Sequence, residues 1–326
     1  MRDPGPVLVA GASGFVGGRL CPALVETGHQ VRAMTRHPDD YRGAGEPVRG
    51  DVHDPGSLAA ALKGCRTAYY LVHSLDSKDF ERLDAEAARA FGQAAADAGV
   101  EQIVYLGGLG SDGEILSSHL RSRREVESLL GTGGVPVTVL RAGIIVGSGG
   151  ISWEMTRELV DHLPVMITPR WVRTRTQPIA VADVVRYLVG VLGHPEAVGA
   201  VFEIGGPEVL QYVTMLRRVA RIKNRRLLIV PVPLLTPSLS SRWLSLVTTV
   251  DTQTGRSLVD SMANEVVVRD DAVTRVVPFE PMGYDDAVRV ALAEHAAAAG
   301  PGEAVRTDSR PVKAAPPAGH EPATTG

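Results

Sequence analysis

Three glycines near the N-terminus have the spacing of a phosphate-binding turn. Gly11, Gly14 and Gly17 follow the apolar run Val7–Ala10 and precede apolar residues at helical intervals. A strand that turns sharply into a helix can approach a pyrophosphate closely where side chains are missing, and the free N–H groups of the helix then face the anion. This pattern predicts dinucleotide binding, with an ordinary glycine-rich turn as the alternative. The predicted binding residues of the turn are Gly11, Ala12, Ser13, Gly14, Phe15, Val16 and Gly17.

The residue after the second predicted strand bears on which nicotinamide dinucleotide is bound. That strand is predicted over 29–35, and Arg36 follows it. An acidic residue here would bind the adenosine ribose of NAD, whereas an arginine would pair with the extra phosphate of NADP. Arg36, with Arg32 expected nearby, therefore favours NADP over NAD. Alternatively, Arg36 is a solvated turn residue and Asp39 or Asp40 binds the ribose of NAD.

Strand-like and helix-like segments alternate along the chain, which specifies the arrangement of these residues. Strands are predicted over 7–10, 29–35, 48–52, 67–73, 101–108, 135–146 and 201–206, and helices over 54–62, 77–98, 119–130 and 214–222. Such alternation predicts an α/β fold, a Rossmann-type doubly wound parallel sheet with a smaller C-terminal substrate lobe. Ligands bind beyond the carboxyl ends of such strands. This edge is expected to hold Gly11, Asp51, His73 and Gly107.

The same patterns suggest how the chain is divided. Residues 1–150 are predicted to form the nucleotide-binding domain, with its sheet completed by parts of 176–206. Residues 151–298 are predicted to form the substrate lobe and C-terminal helices. The segment 299–326 is rich in Pro, Ala and Gly and poor in large apolar residues, which predicts a disordered tail.

Composition excludes several classes of function. The 326 residues carry a formal net charge of −3, which gives no basic footprint for DNA or RNA. The two cysteines, Cys21 and Cys65, have neither a disulfide pattern nor a metal-ligand spacing, so we expect no metal and a reducing, cytoplasmic location. Nothing at the N-terminus resembles a signal peptide.

The most hydrophobic stretch of the chain, 227–250, is interrupted by polar or helix-breaking residues. These are Pro231, Pro233, Pro237 and Arg242. They argue against an integral membrane segment, whereas peripheral membrane association and the oligomeric state stay open.

Several motifs together resemble those of a known superfamily. They are GASGFVG at 11–17, GDV at 50–52, YYLVHS at 69–74, YLGGLG at 105–110, RAGIIVG at 141–147 and QPIAVADVV at 177–185. Over about residues 6–210 the chain resembles the atypical and extended short-chain dehydrogenases/reductases. It is most similar to the NAD(P)H-binding, NmrA-like group, which is related to the dehydrogenase-like accessory subunit of respiratory complex I.

The resemblance implies further cofactor-binding residues. It adds Asp51, at the adenine ring, and its neighbour Val52, and it sets His73 and Gly107 on the cofactor side of the sheet. Alternatively, Asp51 helps to cap the following helix, near Asp54 and Ser57. Asp183, in the last motif, is implied to cap a helix.

The usual catalytic pair of the superfamily, Tyr-x-x-x-Lys, is missing. The best register aligns His119 with the tyrosine and Arg123 with the lysine. With its ordinary pKa of about 6.5, a histidine could donate a proton near neutral pH, and an arginine could hold the ribose but could not relay a proton. Alternatively, His119 caps the helix and Arg123 belongs to a solvated basic face with Arg121 and Arg124.

Two arginines further along the chain could also bind an anion. Arg173 and Arg175 are expected on one face of a strand, where they either bind an anionic substrate or the cofactor phosphates or form an exposed edge.

The resemblance implies an oxidoreductase that transfers a hydride to or from a small carbonyl or enone substrate, including hydrophobic ones. The alternatives are a non-catalytic protein that senses NAD(P)H and an accessory or assembly protein of a respiratory complex.

Overall fold

The computed structural model describes residues 5–75, 77–110, 116–168, 170–231 and 260–298. The predicted tail at 299–326 and most of the apolar stretch 227–250, including Pro233, Pro237 and Arg242, lie outside these ranges. None of the helices in the described ranges combines the length and apolar character that crossing a bilayer requires.

A seven-stranded parallel sheet forms the centre of the fold. Its strands are β1 (Val7–Ala10), β2 (Val31–Thr35), β3 (Glu46–Arg49), β4 (Thr67–Tyr70), β5 (Gln102–Gly108), β6 (Val137–Ala142) and β11 (Val201–Ile204). Their order is β11-β6-β5-β4-β1-β2-β3, and every pairing is parallel. The predicted doubly wound α/β fold is therefore confirmed.

Helices cover both faces of this sheet, as the uniformly buried β1 requires. The flanking helices are α1 (Gly17–Glu26), α2 (Pro55–Leu62), α3 (Phe80–Asp97), α4 (Ser118–Leu130) and α6 (Val181–Gly190). On one face, Leu20 of α1 and Leu188 of α6 pack in one apolar core. On the other, Leu58, Phe91 and Leu130 from α2, α3 and α4 belong to a second core. The sheet edge between these layers is left free for a ligand.

Helices and short strands from the second half of the chain form a further layer. They are β7 (Ile145–Val146), α5 (Ile151–His162), β8 (Val165–Thr168), β9 (Arg175–Thr176), β10 (Ile179–Ala180), β12 (Leu210–Gln211), α7 (Tyr212–Ile222), β13 (Leu228–Pro231), α8 (Val273–Val276) and α9 (Tyr284–Ala298). A third apolar core, which includes Trp153, Leu216 and Val288, joins α5, α7 and α9. The predicted domain boundaries at 150 and 298 stay predictions.

Several of the predicted strands end at different residues from those expected. Strand β4 ends at Tyr70, so His73 lies in the following loop, and β3 ends at Arg49, before Asp51. The amide of Asp51 donates to the hydroxyl of Ser57, 2.9 Å away. The predicted strand 135–146 is two strands, because β7 leaves β6 and pairs with β10.

The prediction for the arginines near 173 was wrong. Residues Arg170–Arg173 form a 3-10 helix, and only Arg175 enters a strand, where its guanidinium pairs with Glu265 at 2.9 Å. The implied capping role of Asp183 was also wrong. Its carboxylate accepts from the amide of Met282 at 2.7 Å, which ties the C-terminal segment to α6 instead.

Candidate functional site

The glycine turn adopts a conformation that requires two of its glycines. Gly11 has a φ of +87°, in the left-handed region, where a Cβ would also lie 2.9 Å from the carbonyl oxygen of Leu71. A Cβ on Gly17 would overlap the carbonyl oxygen of Gly11. At Gly14 the same oxygen would be 3.2 Å away, a tight but milder contact. The strand and helix α1 can therefore pack this closely only with glycine at positions 11 and 17.

The N-terminus of helix α1 is suited to an anion. No side chain caps it, and its first turn contains no acidic residue. The amides of Gly18 and Arg19 donate to the carbonyl oxygens of Gly14 and Val16, so it is the positive end of the helix dipole that is left for a negatively charged group. Together with the missing side chains of the turn, this arrangement fits the pyrophosphate of a dinucleotide.

A single cavity of about 270 Å³ extends from this turn across the carboxyl edge of the sheet. Of the residues predicted from the sequence, its lining contains Gly11, Gly14, Phe15, Val16, Gly17, His73, Gly107, His119 and Arg123. The segments that follow β1 and β4 meet here with the end of β5 and with α4, because parallel strands end at the same edge. The predicted Ala12, Ser13, Arg36, Asp51 and Val52 do not line it.

The apolar wall of this cavity and the loop that closes it were not predicted from the sequence. Leu71, Leu75, Leu106, Ile145 and Ile151 line the wall. The loop 147–150 packs on the ring of Phe15, and a Cβ at Gly150 would approach that ring to 2.8 Å. The sequence GSGG at 147–150 was the available signal, because three glycines in four residues mark a close backbone approach.

Arg19 fixes the glycine turn to this loop and to the last helix. Its guanidinium donates to the carbonyl oxygens of Phe15 and Ser148, at 3.1 and 2.9 Å, and to the carboxylate of Glu294 at 2.7 Å. It also stacks on the Phe15 ring, 4.9 Å from its centre. One side chain thus connects three separate segments around the phosphate-binding turn.

Arg36 lies at the carboxyl end of β2, beside the end of β1, and is exposed. Within the described part of the chain its side chain makes no hydrogen bond or ion pair. Arg32 is committed elsewhere, because its guanidinium donates to the carbonyl oxygens of Ala61 and Lys63 at the end of α2. Arg36, and not Arg32, is therefore the arginine available to a ligand at this strand end.

Asp51 and Val52 follow β3 in a tight turn. One carboxylate oxygen of Asp51 accepts from the amide of His53 at 3.0 Å, whereas Asp54 caps helix α2 by accepting from Gly56. Asp51 therefore does not cap α2 itself. Val52 is buried in the core beneath the turn. Any contact of Val52 with a ligand would involve its backbone.

Arg123 is buried at the base of the cavity. Only 9% of Arg123 is exposed, and its carbonyl oxygen accepts from the hydroxyl of Tyr105 at 3.3 Å. The alternative of a solvated basic face is therefore wrong for Arg123. It holds only for Arg121, which is exposed and pairs with Glu81.

The burial of His119 and its pKa could not be predicted from its position in the sequence. Burial, followed by the charge of Arg123 and the neighbouring His73, lowers the pKa of His119 to about 3. Its Nδ1 atom is buried and makes no hydrogen bond within the described residues. Ser117, not His119, caps helix α4, so the capping alternative is wrong. The expectation of an ordinary pKa near 6.5 does not hold either, because the ring is neutral at physiological pH in this environment.

His73 faces the same cavity from the loop after β4. The surrounding protein and then the charge of Arg123 lower its pKa below the ordinary value. The site thus combines two neutral imidazoles with one buried guanidinium.

The comparisons with known proteins define the class. The profile of the NAD(P)H-binding family matches residues 11–195, more than half of the chain. The chain therefore belongs to the NAD(P)H-binding family, which confirms the resemblance found in the sequence and the presence of an NAD(P)H-binding domain.

Particular relatives include several reductases. The chain is 30% identical over 136 residues to cinnamoyl-CoA reductase 1 of Oryza sativa subsp. japonica, which covers 38% of each chain. It is 37% identical over 93 residues to dihydroflavonol 4-reductase of Zea mays, or 24% of this chain and 26% of that enzyme. It is also 25% identical over 239 residues to NADH dehydrogenase [ubiquinone] 1 alpha subcomplex subunit 9, mitochondrial, of Mus musculus, 69% of this chain and 63% of that subunit. The chain thus spans less than two thirds of each of these relatives.

Solved structures share the fold over nearly their whole length. An NADPH-dependent quinone oxidoreductase from Escherichia coli, complexed with NADPH, superposes with a TM-score of 0.72 at 18% identity, covering 87% of this chain and 98% of that one. A triphenylmethane reductase from Citrobacter sp., complexed with NADP(H), gives 0.72 at 17% identity, with 87% and 99% covered. At this level of identity the likeness establishes the fold.

Proposed function

We propose that the protein is an NADPH-dependent reductase of carbonyl or enone groups on small, hydrophobic substrates. One observation carries the proposal: the glycine turn, His119 and Arg123 line the same cavity. The apolar wall, which includes Leu71, Leu106 and Ile151, supports a hydrophobic substrate. The reductases among the relatives support the reaction class.

The residues present fit the cofactor. The uncapped start of α1 and the glycine turn would hold its pyrophosphate, and the exposed Arg36 would pair with the extra phosphate of NADP. When bound, the cofactor supplies a hydride from its nicotinamide ring. Asp51 and the backbone of Val52 would lie on the adenine side, and His73 and Gly107 on the nicotinamide side.

His119 and Arg123 would act on the substrate oxygen. In the free protein His119 is neutral, because burial and Arg123 disfavour its charged form. Negative phosphates bound nearby would offset the charge of Arg123, which is the second cause of the lowered pKa after burial; if His119 gains a proton in this way, it would pass that proton to the oxygen as the hydride arrives. Arg123 would stabilise the negative charge that develops on that oxygen before the proton is transferred. If His119 stays neutral, a bound water would supply the proton instead.

The test is cofactor oxidation with a panel of quinones, enones and aldehydes, compared between NADPH and NADH. We expect turnover with NADPH and a loss of about 10²- to 10⁴-fold in kcat for His119→Ala, the range typical of general acid–base groups. His162→Ala serves as the control, because that residue lies at the end of α5 and outside the cavity lining. Turnover unchanged in His119→Ala would remove that residue from the mechanism.

A second candidate function is a non-catalytic NAD(P)H-sensing or respiratory accessory protein. The missing Tyr-x-x-x-Lys pair favours it, as does the similarity to the mouse NADH dehydrogenase subunit over 69% of this chain. It predicts tight cofactor binding with no turnover on any substrate of the panel, and different affinities for the reduced and oxidised cofactor.

A further inference from the structure

The two-stranded sheet formed by β8 and β13 leaves one face uncovered within the described part of the chain. The strands run parallel, with Leu228 beside Val165 and Val230 beside Ile167. Met166 and Ile229 point to the other face and are buried in the third core. Four side chains therefore form an exposed apolar face. Their exposed fractions are 51% for Val165, 56% for Ile167, 59% for Leu228 and 41% for Val230.

Such a face is unusual for parallel strands, which are normally covered on both sides. Single exposed apolar residues need no explanation, but four that are adjacent in register form a contiguous patch. This patch lies in the lobe built by α5 and α7, away from the cofactor cavity, whose lining includes no residue of β8 or β13.

A basic groove adjoins the apolar face. It has a volume of about 360 Å³ and is lined by Arg217 and Arg221 of α7 and by Arg225, Arg226 and Leu227, which lead into β13. Arg225 and the nearby Lys223 share the carboxylate of Asp161. In contrast, the exposed Arg217, Arg221 and Arg226 pair with no carboxylate within the described ranges.

Charge and apolar surface combined in this way match one kind of partner. Apolar side chains that enter the headgroup layer beside unpaired arginines are the features that hold a protein on an anionic lipid surface. The arginines make the border of the apolar face basic, so its charge is complementary to a negatively charged surface.

We propose that the β8–β13 face and the arginine groove form a docking surface for an anionic lipid bilayer. Val165, Ile167, Leu228 and Val230 contact the acyl boundary, and Arg217, Arg221 and Arg226 contact lipid phosphates. The proposal does not depend on reductase activity, because the surface shares no residue with the cofactor cavity.

The test is sedimentation of the full chain with vesicles of phosphatidylcholine alone or mixed with phosphatidylglycerol. We expect binding only to the anionic vesicles, weakened by added salt. Arg217→Glu combined with Arg221→Glu should lower the partition coefficient by at least about tenfold. The matched control is Arg89→Glu with Arg275→Glu, which makes the same charge change at exposed residues outside the groove and the apolar face and should retain more of the binding.

A second variant tests the apolar part. Ile167→Ser with Leu228→Ser should reduce vesicle binding without lowering the thermal unfolding temperature, because both side chains are exposed. Equal binding to neutral vesicles would overturn the proposal, as would an equal loss of binding in the arginine control. So would a large drop in the thermal stability of the serine variant without vesicle binding by the wild type. The last would mean that this face is covered by the protein itself. Concentration-dependent dimerisation that the serine variant abolishes would likewise overturn it, in favour of a second copy as the occupant.

Discussion

The carbonyl oxygen of Gly11 occupies the space that a Cβ atom on Gly17 would need. This contact joins the end of strand β1 to the start of helix α1, so it fixes the height of the helix N-terminus above the sheet. The phosphate-binding geometry therefore depends on the absence of a single methyl group.

Gly17→Ala should accordingly abolish or strongly weaken cofactor binding, because the backbone of the turn must shift to accommodate the new atom. Overpacking of this kind typically costs about 1–3 kcal/mol. Gly18→Ala is the matched control, since its Cβ would lie at an ordinary 3.8 Å from the nearest atom, the carbonyl oxygen of Ala12. Calorimetry with NADPH measures both. Equal affinities in the two variants would contradict this account of the turn.

Arg36→Leu should weaken NADPH binding and leave NADH binding unchanged. Loss of a hydrogen bond to a charged group costs about 1.5–3 kcal/mol, which corresponds to about a 10- to 100-fold change in Kd. Arg89→Leu, at an exposed residue of α3, controls for loss of charge alone. The same calorimetric titration with both cofactors decides the matter. An equal loss of affinity for NADH would argue that Arg36 does not bind the extra phosphate of NADP.

Stability should fall as the pH decreases from about 6.5 toward 3, in part because of His119. Its pKa is lowered to about 3 in the folded protein, so over this range the unfolded chain binds a proton that the folded chain does not. The variant His119→Gln cannot titrate at this position. Its free energy of unfolding should therefore fall less than that of the wild type, by up to about 1.4 kcal/mol for each pH unit below 6.5. Urea unfolding at several pH values measures this difference. The same slope in both proteins would show that His119 does not titrate abnormally.

Cofactor binding should raise the pKa of His119, because bound phosphates offset the charge of Arg123. The imidazole signals of His119, followed by NMR through a pH titration with and without NADPH, measure this shift. His162, at the end of α5, provides an internal reference outside the cavity lining. A pKa of His119 that does not move would leave a bound water as the proton donor.

Arg19→Leu should destabilise the protein and weaken cofactor binding together. The variant loses three partly buried hydrogen bonds, to Phe15, Ser148 and Glu294. We expect its free energy of unfolding to be lower by about 1–3 kcal/mol. Arg289→Leu is the control, because its pair with Asp286 is exposed and should contribute about 0–1 kcal/mol. Thermal unfolding and NADPH calorimetry provide the two readouts. Destabilisation with unchanged affinity would mean that Arg19 supports the fold without shaping the turn.

The sequence was most informative where local chemistry dictates structure. The first strand, the glycine turn and the parallel sheet were predicted correctly, because apolar runs and glycine spacing act over a few residues. His119 and Arg123, which the sequence aligned with the usual catalytic pair, both line the cavity, and their catalytic roles stay predictions. Their protonation and burial could not be predicted, since these depend on His73, from the loop after β4, and on Tyr105 of β5.

Errors occurred where tertiary contacts override local pattern. Arg32, which was expected near Arg36, lies within β2, and its guanidinium donates to carbonyl groups at the end of α2. The apolar run 135–146 predicts one strand, yet β7 leaves the sheet to pair with β10, more than thirty residues later in the chain. No local signal marks such a long-range pairing.

The position of β11 in the sheet has a consequence for synthesis on the ribosome. Residues Val201–Ile204 supply the outer neighbour of β6, although they follow it in the chain by some sixty residues. Until β11 has been synthesised, one edge of β6 has no strand beside it, and its backbone hydrogen-bonding groups are exposed. Chaperone contact is therefore expected to end for this strand only after residue 204 has left the exit tunnel.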